Sequence, residues 1–226
     1  MPDARPTFHH QLDDVQRDLL RAAARVTESV MRGTEALLTL DLAEAQAIID
    51  ADEEVNQLTL DVEERCFTLL ARQQPMASDM RAVVTAIRLT SEIERSGDLM
   101  VNVAKAVRRL YGTTIPPGLQ GLLQAMADES VRLFRLAMDA YADGDATVAH
   151  ALDDMDDRLD DLHRNYIQAL LEHYADVRDV QAAVQLALVG RYYERIGDHA
   201  VNIGERVEYM VTGWLPEHTS VDGEPR

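Results

Sequence analysis

Four acidic residues form two identically spaced pairs in this 226-residue sequence: Glu94 with Asp98, and Glu194 with Asp198. In a helix, residues four apart lie one turn apart on the same face, so each pair presents two carboxylates side by side. Like charges at this spacing repel by roughly a few tenths of a kcal/mol unless a cation offsets them. Mg²⁺, Mn²⁺ and iron accept such oxygen ligands, so the four residues are candidate metal ligands.

The two pairs belong to an internal repeat. A shift of 100 residues aligns 79–110 with 179–210 without a gap and gives ten identities in 32 positions, six of them within 94–102. The identities include Asn102 and Asn202, which extend the line of each pair and are additional candidate ligands. A weaker match, at a shift of 104, places 54–58 on 158–162. The pattern predicts one three-helix unit used twice.

A glycine lies inside each acidic pair, at Gly97 and at Gly197. Glycine in a helix interior costs about 1 kcal/mol relative to alanine. Its presence at the same place in both repeats therefore predicts that something approaches the backbone closely there. A neighbouring helix and a ligand are both open interpretations.

Two apolar lines run along each of these predicted helices, and the sequence leaves open which one faces the core. In the first repeat, one line contains Ile87 and Val101 and is interrupted by Glu94 and Asp98. The other line consists of Ile93, Met100, Val103 and Val107. The choice decides whether the carboxylates lie on a buried or a wet face.

Acidic residues of neighbouring helices are further candidate ligands, because each pair alone supplies too few. Asp52, beside Asp50 and Glu53, lies in the first repeat, and Asp156 lies in the run DDMDDRLDD at 153–161. A solvated acidic face is the alternative interpretation of this run. The seven histidines show no Glu-x-x-His spacing, and no P-loop, G-x-G-x-x-G or G-x-S-x-G motif is present.

Long proline-free stretches of strong helix formers predict an all-α chain. The breaker GTTIPPG at 112–118 divides it. Six helices are expected, at 9–40, 42–72, 77–110, 119–142, 147–174 and 177–211. The second is expected to break near 50–52 and the fifth near 152. We therefore predict two tandem antiparallel three-helix bundles. The domain boundaries are a first repeat at 7–111, a linker at 112–118, a second repeat at 119–212 and a polar tail at 213–226.

The charge balance restricts the class of partner. The chain has 22 Lys and Arg against 40 Asp and Glu, a net charge of −18. Nucleic acid and anionic lipid are disfavoured as direct partners, because binding to either needs a basic surface. Protein partners are expected to present basic surfaces. The single cysteine, Cys66, has helical spacing and is expected to pack in the core.

Tandem three-helix units that each carry ERxGDxxxN resemble the PhoU family of phosphate-uptake regulators. The resemblance rests on 69–88, 91–105 and 191–210 and extends over about 7–212. It implies a cytoplasmic, often homodimeric accessory protein that is not an enzyme and meets the membrane only through its partners. The implied partners are the ATPase subunit of the phosphate-specific ABC transporter and the phosphate-sensing histidine kinase, whose starvation signalling such proteins silence when phosphate is plentiful.

In some PhoU-like proteins these motifs hold metal ions. Carried over to this chain, the motif positions are Glu94, Asp98, Glu194 and Asp198, and the implied ions are Mg, Mn, Zn or Fe. Ser96 stands where isoleucine is more usual in the family. Two other functions stay open: a metal-dependent hydrolase or oxidase that uses the acidic pairs, and a purely structural dimerising bundle whose acidic residues keep it soluble.

Overall fold

The computed structural model describes residues 4–175 and 179–214, and over those residues it contains helices and no β-strand. The predicted all-α class and the two three-helix bundles are confirmed. The helices are α1 Ala4–Thr39, α2 Leu42–Gln73, α3 Ser78–Leu110, α4 Pro117–Asp143, α5 Ala146–Tyr174 and α6 Val180–Thr212.

Local sequence explains where most helices begin and end. Asp41 and Asp145 precede α2 and α5, and each side chain accepts hydrogen bonds from two backbone N–H groups of the first turn. Pro117 begins α4 two residues earlier than predicted, because proline's missing N–H is not needed in the first turn. Gly213 ends α6 with a left-handed φ of 83°.

Both expected breaks are wrong, and so, besides the start of α4, is the expected start of α1. α2 runs through 50–52 and α5 runs through 152 without a break, because their apolar faces are buried and outweigh the small helix propensity lost at aspartate. α1 begins at Ala4 rather than at 9, and so includes Pro6, which its first turn tolerates. The expected start of α6 at 177, and the tail beyond 214, lie outside the described residues.

Helices α3 and α6 form an antiparallel pair at the centre of the molecule. Arg81 Nε, near the start of α3, donates to the Met210 carbonyl at 3.0 Å, and Arg109, near its end, donates to Gln185 at 3.1 Å. α1 and α2 pack on α3, α4 and α5 pack on α6, and α1 contacts α4. The buried apolar residues form one cluster that continues through both halves.

The halves repeat in three dimensions with both registers seen in the sequence. The capping residues Asp41 and Asp145 differ by 104 (145 − 41), whereas Gly97 and Gly197 differ by 100 (197 − 97). The first half therefore has four more residues around its second connection. Val55 and Leu159, paired by the weaker sequence match, lie against these two glycines.

The structure decides which apolar line of α3 faces the core. Ile93 and Met100 are fully buried, whereas Glu94 and Asp98 are exposed. The core is thus built by the line that contains no carboxylate, and the acidic pair of the first half lies on the solvent side. Cys66 is buried in α2, as predicted.

Candidate functional site

Gly97 and Gly197 are points where side chains of a neighbouring helix lie close to the backbones of α3 and α6. A Cβ added at Gly97 would lie 2.8 Å from Asp52 Oδ1 of α2, and one added at Gly197 would collide with Asp156 of α5. The close approach predicted from the glycines is therefore made by helices. Each glycine makes room for the carboxylate of a neighbouring helix, so Asp52 and Asp156 reach the acidic pairs.

The first acidic cluster comprises Asp52, Glu94 and Asp98, on α2 and α3. Burial raises the pKa of Asp52, and Asp98 and Glu94 raise it further, against the hydrogen bond that Asn56 donates to Asp52 Oδ2 at 3.1 Å. Among residues 4–175 and 179–214, no ion pair reaches any of these three carboxylates. The cluster therefore holds negative charge without a cation beside it.

The second acidic cluster comprises Asp156, Glu194 and Asp198, on α5 and α6, and it contains its own cation. Arg191 forms an ion pair with Glu194 and lies 3.6 Å from Asp198. Position 91, its equivalent in the first half, is a serine. Glu194 is buried, whereas Glu94 is exposed. The sequence analysis did not single out Arg191. The available signal was that the two repeats differ in charge three residues before the repeated glutamate, with arginine at 191 and serine at 91.

Asp156 is the most perturbed carboxylate of the second cluster. Burial raises its pKa to about 7, with contributions from Asp160 and Asp198. Its Oδ1 atom is buried and has no hydrogen-bond partner. A carboxylate held this way gains most from a proton or a metal ion at that oxygen.

His163 of α5 also belongs to the surroundings of the second cluster. Its Nε2 atom is buried without a hydrogen-bond partner, and its pKa is lowered by burial and by Arg191. It lies seven residues after Asp156, on the same side of α5, and its ring faces Gly190. Histidine spacing gave no hint of it in the sequence; the signal was its seven-residue separation from Asp156.

The two candidate asparagine ligands, Asn102 and Asn202, were expected to extend the line of each acidic pair, but Asn202 points to another helix. Asn202 donates to Glu92 Oε2 at 3.2 Å across the α3–α6 seam, where His199 Nδ1 lies 2.6 Å from the same oxygen. Burial would raise the pKa of Glu92, but these two hydrogen bonds together hold it below its usual value. Asn102 is half-buried on α3.

The donor sets of both clusters fit a hard, oxygen-seeking metal ion. Each supplies three carboxylates from two helices, and the raised pKa of Asp52 and of Asp156 marks charge that a cation would offset. In the described part of the chain, no three His, Cys, Asp or Glu side chains stand ready around a common point. Binding therefore requires rotation of the carboxylates, and in the second cluster also of Arg191.

Comparison with known proteins identifies the repeat. The PhoU domain model matches twice, at residues 19–107 and 123–207, so each half carries one copy. The chain belongs to the PhoU family. The PhoU assignment is supported by the "phosphate-specific transport system accessory protein PhoU homolog 2" of Mycobacterium tuberculosis, 35% identical over 94% of this chain and 100% of that protein.

Solved PhoU structures have the same fold. The crystal structure of PhoU from Pseudomonas aeruginosa matches with a TM-score of 0.86 at 30% identity, over 92% of this chain and 100% of the other. That of the "phosphate transport system regulatory protein PhoU" from Streptococcus pneumoniae matches with a TM-score of 0.85 at 27% identity, over 92% and 98%. None of the helices in the described part of this PhoU-family chain is long and apolar enough to cross a membrane.

Proposed function

We propose that this protein regulates phosphate uptake and phosphate homeostasis as an adaptor without enzymatic activity. The observation that carries the proposal is the match of both halves, over nearly the whole chain, to proteins named as accessory or regulatory components of phosphate transport. In this role it couples the ATPase subunit of the phosphate-specific ABC transporter to the phosphate-sensing histidine kinase and represses starvation signalling when phosphate is plentiful.

Deletion of the gene in phosphate-rich medium tests the regulatory role. Phosphate-starvation genes should stay on and phosphate uptake should be unrestrained, and the wild-type gene supplied on a plasmid should restore both. A deletion strain that represses both normally contradicts the proposal. Where the genome carries a second copy of the gene, the strain to be measured lacks both copies.

The adaptor part of the proposal rests on long helices that present large exposed faces, a form suited to protein recognition. The protein acts in the cytoplasm as a homodimer and reaches the membrane only through its partners. Affinity capture of a tagged chain from phosphate-replete cells should recover the transporter ATPase and the histidine kinase. Recovery of neither, from cells in which both are expressed, contradicts the coupling.

Metal ions, divalent or ferric, are the proposed ligands of the two acidic clusters. Asp52, Glu94 and Asp98 would hold one ion, and Asp156, Glu194 and Asp198 another, with Mg, Mn, Zn and Fe as the candidate elements. A bound ion would lock α2 to α3 and α5 to α6 by neutralising facing carboxylates. Elemental analysis of the purified protein, compared with a Glu94→Gln/Glu194→Gln variant, tests this: equal metal content in both contradicts the assignment.

A metal-dependent enzyme is the rival function from another class. It would use the same carboxylates and would need an open metal position and an organised surrounding shell. Screening of the Mn²⁺-loaded protein against phosphate esters separates the two functions. Turnover that disappears in the Glu94→Gln/Glu194→Gln variant would replace the adaptor proposal with an enzymatic one.

A further inference from the structure

Charge is divided unevenly among the helices of this acidic protein. α2 carries two arginines against eight acidic residues, and α5 carries two against seven. The central helix α3 is the reverse, with six basic residues against four acidic ones. α2 and α5 therefore carry most of the net negative charge, whereas α3 carries a small excess of positive charge.

Four arginines of α3 lie on one line, at intervals of seven or fourteen residues. Since seven residues make almost two full turns, the line keeps to one side of the helix. Arg81 and Arg109, its two ends, donate to Met210 and Gln185 of α6, so the line follows the α3–α6 seam. The line consists of Arg81, Arg88, Arg95 and Arg109.

Helix α6 adds one arginine to this surface. Arg195 is the repeat equivalent of Arg95, and both belong to the repeated motif without taking part in the acidic clusters. Because the helices are antiparallel and Glu92 meets His199, the two arginines lie at nearly the same level of the pair. We name the set Arg81, Arg88, Arg95, Arg109 and Arg195 the basic strip.

The arginines of the basic strip differ from those elsewhere in their partners. On the outer helices, arginines are mostly neutralised by carboxylates, as in Arg25 with Glu54, Arg65 with Asp18 and Arg164 with Asp161. Over the part of the chain that the structure describes, no member of the basic strip forms an ion pair. All except the half-buried Arg81 are exposed.

We propose that the basic strip is the docking surface for an acidic helix of a partner protein, which is the opposite of the basic partner surface that the net charge alone predicts. Guanidinium groups bind carboxylates through paired hydrogen bonds, and a helix laid along the seam would meet them with its own seven-residue period. The strip spans 28 residues from Arg81 to Arg109, about 42 Å of helix, far more than one inorganic anion covers. The proposal rests on the proposed function of an adaptor that acts by binding proteins.

Two other occupants fit the strip less well. A second copy paired strip to strip about a two-fold axis would set arginine against arginine. A nucleic-acid backbone would meet Glu94 and Asp98 on one side of the strip, Glu194 and Asp198 on the other, and a net charge of −18. An acidic helix can present its carboxylates on one face only, toward the strip, whereas a duplex carries phosphate charge all around its surface.

Binding of a labelled helical peptide tests the proposal. The probe is an alanine-rich peptide with glutamates in a heptad repeat, and fluorescence anisotropy at low salt measures its affinity for the full chain. The strip variant is Arg88→Glu/Arg95→Glu. The matched control is Arg17→Glu/Arg164→Glu, which makes the same change in net charge at exposed arginines of α1 and α5.

We expect the strip variant to lose at least about tenfold in affinity and the control to lose less than about twofold. Equal losses in the two variants, or tighter binding of a lysine version of the peptide or of duplex DNA, would overturn the proposal. Circular dichroism confirms that both variants fold. The gene-deletion experiment is separate: normal repression there removes the regulatory role, whereas a failed peptide test removes only the strip.

Discussion

Arg25 of α1 and Glu129 of α4 occupy equivalent positions in the two halves (129 − 25 = 104) and carry opposite charges. Arg25 donates to Glu54 of α2 at 3.0 Å, and Glu129 lies 3.5 Å from Arg158 of α5, which is the equivalent of Glu54. The same interaction thus exists twice with its charges reversed. Pairing α1 with α5 would bring two arginines together, so the reversal favours pairing within each half.

Loss of the Glu129 charge should destabilise the protein more than loss of the Arg25 charge. Glu129 is buried and accepts a hydrogen bond from Arg132 Nε at 2.9 Å, whereas Arg25 is substantially exposed. We expect Glu129→Gln to lower the free energy of unfolding by about 1–3 kcal/mol, and Arg25→Gln by less than about 1 kcal/mol. Urea unfolding measures both; equal losses would show that the burial of Glu129 has no effect.

Replacement of Gly197 by alanine should separate α5 from α6. The added Cβ would lie 2.6 Å from Leu159 Cδ2 and would collide with the Asp156 carboxylate. We expect a loss of about 1–3 kcal/mol in thermal or urea unfolding. Gly121 of α4 is the matched control, because a Cβ there meets nothing within 4 Å. Gly121→Ala should stabilise by about 0.5–1 kcal/mol; a shift of the same sign in both would contradict the close approach.

The raised pKa of Asp156 predicts a pH dependence of stability. Its pKa is about 7 in the fold against about 3.8 for an aspartate of the unfolded chain, so between these values the native protein holds a proton that the unfolded chain has lost. Stability from this group is therefore complete below about pH 4 and is lost as the pH rises through 7. Asp156→Asn removes the effect.

In metal-free protein, Asp156→Asn should be more stable than wild type above pH 7, by on the order of 1 kcal/mol after solvent screening of this half-exposed group. The difference should vanish near about pH 4. Asp154→Asn, at an exposed position of the same run, is the control, and its stability should differ from wild type by the same amount at pH 4 and at pH 8. Stability curves of Asp156→Asn and wild type that run parallel from pH 4 to 8 would refute the raised pKa.

Arg191 should compete with metal at the second acidic cluster. Arg191 is ion-paired with Glu194 and lies near Asp198, so a metal ion that binds both carboxylates must displace the guanidinium group. We expect Arg191→Ser, which installs the residue found at position 91, to raise the Mn²⁺ affinity of this cluster about tenfold. Calorimetry in a Glu94→Gln/Asp98→Asn background isolates the site. Arg17→Ser, with the same charge change, should leave the affinity unaltered, and an equal gain there would contradict displacement.

Helix content and the repeat were predictable because both follow from local signals. Helix formers, capping residues and the spacing of prolines act within a few residues, so six helices were placed with errors mainly at their ends. The repeated ERxGDxxxN pattern likewise gave the equivalence of Gly97 and Gly197, and with it the expectation of a close approach. The family resemblance followed from the two segments that carry this pattern together with 69–88.

The composition of each acidic cluster was only partly predictable. The acidic pairs, and Asp52 and Asp156 as their neighbours, were named from the sequence, but His163 and Arg191 were not, and Asn202 bonds across the α3–α6 seam. These differences arise between helices. Which side chains meet there depends on how far each helix is rotated and shifted against its neighbour, and no local pattern encodes that.

The sequence by itself determined the six helices, the repetition of one three-helix unit and the positions where carboxylates and glycines recur. Only the tertiary structure decided that Ile93 and Met100 face the core, that Glu194 is buried and pairs with Arg191 while Glu94 is exposed, and that the arginines of the basic strip, which form no ion pair within the described residues, lie along the α3–α6 seam. The reason is physical. Helix formation is governed by neighbours along the chain, whereas burial and charge pairing are governed by neighbours in space.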